Sequence, residues 1–251
     1  MSRLFSKYAR YVRVLKPLAL LFAAAAVLMP GASSADMRIE EEVGHFLVKE
    51  FDPESIVVQA TNGGSFLYAK ATGIVIEGVR IDSISMSAMM KEPPKNVARQ
   101  DPYKLADLIY MSWGEVIIKE NDIADYCRKE VEDIKGFTDL KCDFTPDGIH
   151  LSGIYTAKFL FTFKIRLAAV TKVAFDDSGL YLTNAKFFIN GVKQPDAMTD
   201  GLLKEINPLI KREKIPFPVR ITKIYTTDDK IVLTGNPKKF TTDNVWKYTK
   251  P

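Results

Sequence analysis

The sequence predicts an α+β fold built on a long, strongly curved antiparallel sheet. Three observations predict it. Three polar turns, Thr145-Pro146-Asp147-Gly148, Asp176-Asp177-Ser178-Gly179 and Thr227-Asp228-Asp229-Lys230, each precede a short alternating strand, which suits a meander. Residues 155–175 contain neither Pro nor Gly, and over 155–167 apolar and polar side chains alternate. Apolar residues at helical spacing recur over 39–51, 123–131 and 202–210.

The N-terminal residues read as a leader. Arg3, Lys7, Arg10, Arg13 and Lys16 precede an uncharged run of 13 residues, 17–29, and then Pro30-Gly31 and the small residues Ala32-Ser33-Ser34-Ala35. A basic start, a short apolar run and small residues at −3 (Ser33) and −1 (Ala35) compose a secretory signal peptide. As a helix the run reaches about 20 Å, short of the roughly 30 Å of a bilayer core. The competing reading is an uncleaved anchor or an amphipathic surface helix. The expected organisation is a signal peptide over 1–35 and a single domain over 36–251 with a short tail from about 236, exported to the periplasm or cell envelope.

Export changes the meaning of the charge. The whole chain has 35 basic and 31 acidic side chains and a net charge of +4. Residues 1–35 hold five of the cations and no acid, so the mature chain carries 30 against 31. A nucleic-acid partner therefore loses its electrostatic footprint.

Within the mature chain, Asp36 is placed to cap a first helix carrying Ile39, Val43, Phe46, Leu47 and Phe51, with Pro53 as its stop. Residues 55–61 and 65–71 read as strands joined at Asn62-Gly63-Gly64. From Gly73 to Met90 the apolar positions change phase twice: Ile74 and Ile76, then Val79 and Ile81, then Ile84, Met86, Ala88 and Met90. Such changes within one extended segment imply bulges or bends, hence a curved sheet. Pro93, Pro94 and Pro102 mark 91–103 as a loop, 113–118 as a strand follows, and Asn121 caps a helix running to about Ile134. Thr199 caps a helix over 200–210, and residues 219–226 form a strand after Pro216 and Pro218. Cys127 and Cys142 are the only thiols. In an exported protein their 15-residue separation is expected to close as a disulfide worth about 3 kcal/mol.

Over 155–167 one parity holds Tyr155, Ala157, Phe159, Phe161, Phe163, Ile165 and Leu167, and the other holds Thr156, Lys158, Thr162, Lys164 and Arg166, with Leu160 the exception. As one strand these thirteen residues extend to about 43 Å, long against an ordinary strand. Such a stripe is either a core face packed on helices or the wall of a groove for acyl chains. Met86 and Met90, flexible thioethers, fit either use. Lys211, Arg212 and Lys214, after a helix end, are either a solvated basic terminus or contacts for a lipid headgroup.

No catalytic template is present: no G-x-S-x-G elbow, no H-E-x-x-H and no phosphate-binding P-loop. His45 and His150 sit in a helix and a strand pattern, and Asp176-Asp177 and Asp228-Asp229 lack the ligand spacing of a Ca²⁺ loop. No enzyme activity, cofactor or metal is expected. An outer-membrane barrel is disfavoured because Lys158, Lys164 and Arg166 or else the aromatic row would face the wrong solvent, and helices interrupt the strands.

The succession of helix, meander with Gly148-Ile149-His150-Leu151-Ser152-Gly153, C-terminal helix, Ile215-Pro216-Phe217-Pro218-Val219-Arg220-Ile221 and Lys230-Ile231-Val232-Leu233-Thr234-Gly235 resembles the LmeA family of phospholipid-binding envelope proteins. The resemblance spans about 36–235. It implies a curved antiparallel sheet wrapped around one or more helices, enclosing an apolar groove or channel related to the tubular lipid-binding architecture. It further implies binding of phospholipid or another acyl lipid, with peripheral membrane contact and no catalytic set. From alternation alone, the expected lining is Tyr155, Phe159, Phe161, Phe163, Ile165, Leu167, Met86 and Met90. The rival expectation is a structural envelope protein with a fully packed core; a hydrolase with an unfamiliar site is the third.

Overall fold

The computed structural model describes residues 38–76, 79–94, 107–132, 136–158, 162–176, 179–208, 210–211 and 219–251. The expected leader, the Asp36 cap and most of the 91–103 loop lie outside these residues. In chain order the elements are α1 (Ile39–Phe51), β1 (Ser55–Thr61), a 3-10 turn (Asn62–Gly64), β2 (Phe66–Ile76), β3 (Val79–Met90), β4 (Ile109–Lys119), α2 (Glu120–Glu132), β5 (Phe137–Thr145), β6 (Gly148–Lys158), β7 (Thr162–Asp176), β8 (Gly179–Ile189), β9 (Val192–Lys193), α3 (Asp196–Ile206), β10 (Ile210–Lys211), β11 (Val219–Arg220), β12 (Lys223–Thr226), β13 (Lys230–Thr234) and β14 (Val245–Thr249). Strand accounts for 58%, mostly antiparallel, with three helices among the described residues, and the sheets do not close. The chain divides into two compact units: one holds described residues of 118–214 and 224–232, and the other holds those of 38–117, 215–223 and 233–251.

In the unit that begins at α1, the strands run β4-β3-β2-β1-β14, with β11 parallel beside β4. Helix α1 follows its predicted period, burying Val43, Gly44 and Phe46. Glu40, Glu41 and Glu42 occupy its first turn, where the helix dipole favours anions. Arg38 stands at the N-cap without a side-chain capping bond, its guanidinium paired with Glu40 at 3.1 Å, and Asp52, in the left-handed conformation at φ 42°, ends the helix just before Pro53. The helix packs on β1 and β14. Beneath it Ile56, Val58, Ala60, Leu67, Ala71 and Ala88 share one sheet face and are buried. Residues 236–251 are no loose tail. Gln59 Nε2 donates to the Phe240 carbonyl at 3.0 Å, Phe240 N–H donates back to Gln59 Oε1 at 3.2 Å, and β14 pairs with β1 from Ser55↔Thr249 to Gln59↔Val245.

The segment 73–90 departs from its reading as one strand. The first phase change is a hairpin, with Ile76↔Val79 closing β2 against β3. The second, between Ile81 and Ile84, does not occur: burial in β3 continues in phase through Ser83, Ser85 and Ser87 and shifts only at Ala88, next to an irregularity in pairing at Met89/Met90. All three hydroxyl residues are buried; Ser87 lies between the larger Tyr68 and Trp113 on the same face, and Lys238 N–H donates to Ser87 Oγ at 3.3 Å.

Tyr68 provides a pH test of this packing. Burial pushes its phenol above the ordinary value; a hydrogen bond with Ser85 works the other way, and Glu115 adds a smaller upward push. A group whose pKa is higher folded than unfolded gives stability that is full below its unfolded value, about 10, and lost as pH rises through the folded one. Urea midpoints of the wild type should therefore fall more steeply above about pH 10 than those of Tyr68→Phe. At neutral pH the variant should lose only about 1 kcal/mol, the net worth of one hydrogen bond.

In the other unit the sheet order is β10-β8-β7-β6-β5, with β9 on β8. The predicted turns all close hairpins: Thr145↔Gly148, Asp176↔Gly179, and Thr227 N–H to the Lys230 carbonyl at 2.8 Å. Helix α2 lies on β5, with Ile123 and Tyr126 buried, and Glu120 accepts the Phe144 N–H. Helix α3 begins four residues earlier than predicted, because Pro195 rather than Thr199 precedes its first turn. Thr199 is thereby buried inside the helix, its hydroxyl without a hydrogen-bond partner among the described residues. Asn207 ends α3 and ties it to β8, its side-chain amide bonding Leu182 N–H and carbonyl at 2.8 Å each.

Candidate functional site

The segment read as one strand of some 43 Å is a hairpin. Lys158 pairs with Thr162 and Ala157 with Phe163, so the chain reverses between β6 and β7. A three-residue connection conserves odd and even parity, which is why the alternation reads through the turn without a break. The face membership drawn from parity consequently holds across two strands instead of along one.

Register then assembles the face. Tyr155 lies opposite Ile165, Gly153 opposite Leu167, and Leu151 opposite Ala169. On the next strand Leu167 lies opposite Ile189 and Ala169 opposite Phe187. Residues directly opposite share a sheet face, so Leu151, Tyr155, Ile165, Leu167, Ala169, Phe187 and Ile189 form one apolar surface. All seven are half-buried. From Ala169 to Phe163 the face runs about 20 Å along β7, and β6 to β8 makes it about 10 Å wide.

The burial of this face is graded. At one end Cys142, Phe144, Ile149, Thr171 and Leu182 are buried. At the other, Phe163 is 49% exposed, and Val192, opposite Ile189 on β9, is 65% exposed. Gly153, without a side chain, keeps the surface low between Leu151 and Tyr155. The reverse face of the same strands is mixed: Lys164, Arg166, Lys172 and Lys186 are exposed, among half-buried Ile154, Ala168, Val170 and Phe188.

Of the residues expected to line a lipid site, Tyr155, Phe163, Ile165 and Leu167 come together here. Phe159 and Phe161 lie outside the described residues. Met86 and Met90 belong to the other unit's sheet, Met86 half-buried opposite Ala69 and Gly114, Met90 buried. Leu151, Ala169, Phe187 and Ile189 escaped the sequence reading. In β8 the buried or apolar parity is even at Leu182 and odd at Phe187 and Ile189. The switch falls at Asn184, whose φ is 52°, beside a shift in pairing at Val170/Lys172. An Asn between two apolar pairs of opposite parity is the signal that was available, since Asn tolerates the left-handed conformation a bulge needs.

Lys211 pairs with Gly179, at the opposite end of β8 from Ile189; its side chain, Arg212 and Lys214 lie outside the described set. Cys142 is buried in β5, and the Cys127 side chain is likewise outside that set, so the expected disulfide falls there too.

Among the described residues no carboxylate, imidazole, amine or guanidinium lies on the apolar face. His150 bonds Thr145 Oγ1 at 3.2 Å, and His45 rests beside Trp246 with ring centroids 5.1 Å apart. Asp176, Asp228 and Asp229 stand at hairpin ends, and Asp177 lies outside the described residues. Thr227 Oγ1 donates to Asp229, which holds that carboxyl below its usual range, and Asp176 accepts the Tyr181 hydroxyl at 2.9 Å, which raises the phenol. Among the described residues, no three His, Cys, Asp or Glu side chains are placed to hold a metal ion.

The molecule is thus an open antiparallel-sheet protein with a broad, half-buried apolar face. Residues 69–236, well over half of the chain, match the model of the LmeA-like phospholipid-binding family, and the chain belongs to that family. No curated protein and no solved structure matches it.

Proposed function

We propose that the protein holds a phospholipid by its acyl chains against the face formed by Leu151, Tyr155, Ile165, Leu167, Ala169, Phe187 and Ile189, without catalysing a reaction. One observation carries this reading: a contiguous apolar surface graded from buried at one end to open at Phe163. Each CH₂ taken from water there contributes about 0.8 kcal/mol, so affinity needs shape and apolar area more than specific polar partners. Membership of a phospholipid-binding family supports the same ligand. In this reading the sheet, with its helices, encloses the acyl chains in a groove. The leader over 1–35 sends the protein to the periplasm or cell envelope, where it carries lipid or supports envelope assembly.

The test is direct. The protein is recovered without detergent, extracted with organic solvent and examined by mass spectrometry, then incubated with vesicles carrying a labelled phospholipid. Co-purified or exchangeable phospholipid is the expected result; its absence from both arms overturns the reading. The competing function, a structural envelope protein with a packed core, draws on the fully buried Ile56, Val58 and Ala60 beneath α1. It predicts no exchange.

A further inference from the structure

The charges on the second sheet are segregated to a degree the composition hides. From Gly148 to Phe175 and from Gly179 to Gln194 there is no carboxylate, while Lys158, Lys164, Arg166, Lys172, Lys186 and Lys193 all fall there. The mature chain has nearly equal numbers of acids and bases. The cations of β7 and β8 whose side chains are described are exposed.

The most exposed apolar side chains of the same sheet gather at one end of it. Phe163 begins β7 at 49% exposure, and Val192 follows the β8–β9 turn at 65%. The β8–β9 turn is bonded to β7: Arg166 N–H donates to Asn190 Oδ1 and Asn190 N–H to the Arg166 carbonyl, both at 2.8 Å. Lys164 and Arg166 lie at this end, as does Lys193, paired with Asp196 at 2.7 Å. Exposed apolar groups on one face of this end and cations on its reverse face, with no acid on β7 or β8 nearer than Asp176 at the far end of β7, match the chemistry of an anionic lipid surface: apolar groups enter the acyl boundary while ammonium and guanidinium groups meet phosphates.

We propose that this end of the second sheet, Phe163 and Val192 with Lys164 and Arg166 on the reverse face, docks on an anionic phospholipid bilayer. The inference deepens the lipid-holding reading: the open end of the apolar face then lies against the membrane, so an acyl chain passes between bilayer and protein without crossing water. A polyanionic polymer would satisfy the cations alone and leave Phe163 and Val192 unused, which is why the bilayer is favoured.

Flotation with phosphatidylcholine vesicles, alone or mixed with phosphatidylglycerol, tests the docking. The wild type is expected to float with the mixed vesicles, less with phosphatidylcholine alone, and less as salt rises. Lys164→Glu/Arg166→Glu should weaken association with the mixed vesicles about tenfold or more. Val192→Asp should weaken association with both. Wild type and variants share residues 1–37, so any contribution of that segment cancels. Circular dichroism and co-purified phospholipid, measured on the same samples, should be unchanged by the charge reversals.

Wild-type flotation by the charge-reversed protein overturns the proposal. So does equal binding to both vesicle types, or capture by a soluble polyanion such as heparin that Val192→Asp leaves untouched while vesicles fail to bind. If no phospholipid co-purifies or exchanges but the charge reversals still abolish flotation, the lipid-holding reading falls and the docking surface stands.

Discussion

Leu167→Asp is expected to reduce the phospholipid recovered with the protein to less than about a tenth of the wild-type amount, because an ionised carboxylate under an acyl chain loses its water without gaining a partner. Leu167 is the centre of the row Gly153, Leu167, Ile189 and is half-buried. In the empty protein the new carboxylate can remain hydrated, so the melting temperature should move little. Ile149→Asp is the control, on the same face but at its buried end, where the charge has no route to water and the unit should unfold. Leu167→Met, nearly equal in volume, should retain lipid. Phospholipid recovered undiminished from Leu167→Asp would place the ligand elsewhere.

The second large effect concerns the seat of α1. Gly44 faces the indole of Trp246, and a Cβ at that position would overlap the ring. Trp246 lies opposite Val58, stacks parallel to Tyr248 with centroids 6.4 Å apart, and meets His45 on its other side. Gly44→Val must displace either the indole or the helix. It should destabilise this unit by about 2–4 kcal/mol in chemical denaturation, and Trp246→Ala by about 3 kcal/mol. In the double variant the added side chain enters the space the indole vacates. The combined loss should be smaller than the sum by more than about 1 kcal/mol. Strict additivity would show that the two residues do not share one contact.

Local elements were legible wherever local forces decide them. The three hairpins follow from Pro, Asp, Gly and Thr at fixed positions, and α1 follows from its apolar period and Pro53. The error at α3 was also local: Thr199 has the chemistry of a cap, yet the helix starts after Pro195, whose fixed φ suits a helix entrance. The reversal between β6 and β7 escaped because a connection of three residues preserves parity and leaves no mark on the alternation. About half of the apolar face was therefore visible as Tyr155, Phe163, Ile165 and Leu167. Phe187 and Ile189 entered only through the pairing of β7 with β8 and the change of parity at Asn184.

What the sequence determined by itself is the alternation: which side chains must share a face, how the turns close, and that no acid falls within 148–175 or 179–194, the stretches carrying Lys164, Arg166 and Lys186. The family pattern over 69–236 rests on the same information. What only the tertiary structure decided is which face is covered. Ser83, Ser85 and Ser87 are buried while Ile84 and Met86 are half-buried, the reverse of what hydropathy alone assigns. The reason is that burial depends on what stacks above a strand. Ser87 owes part of its cover to Lys238, 151 residues along the chain, and no window of local sequence contains that contact.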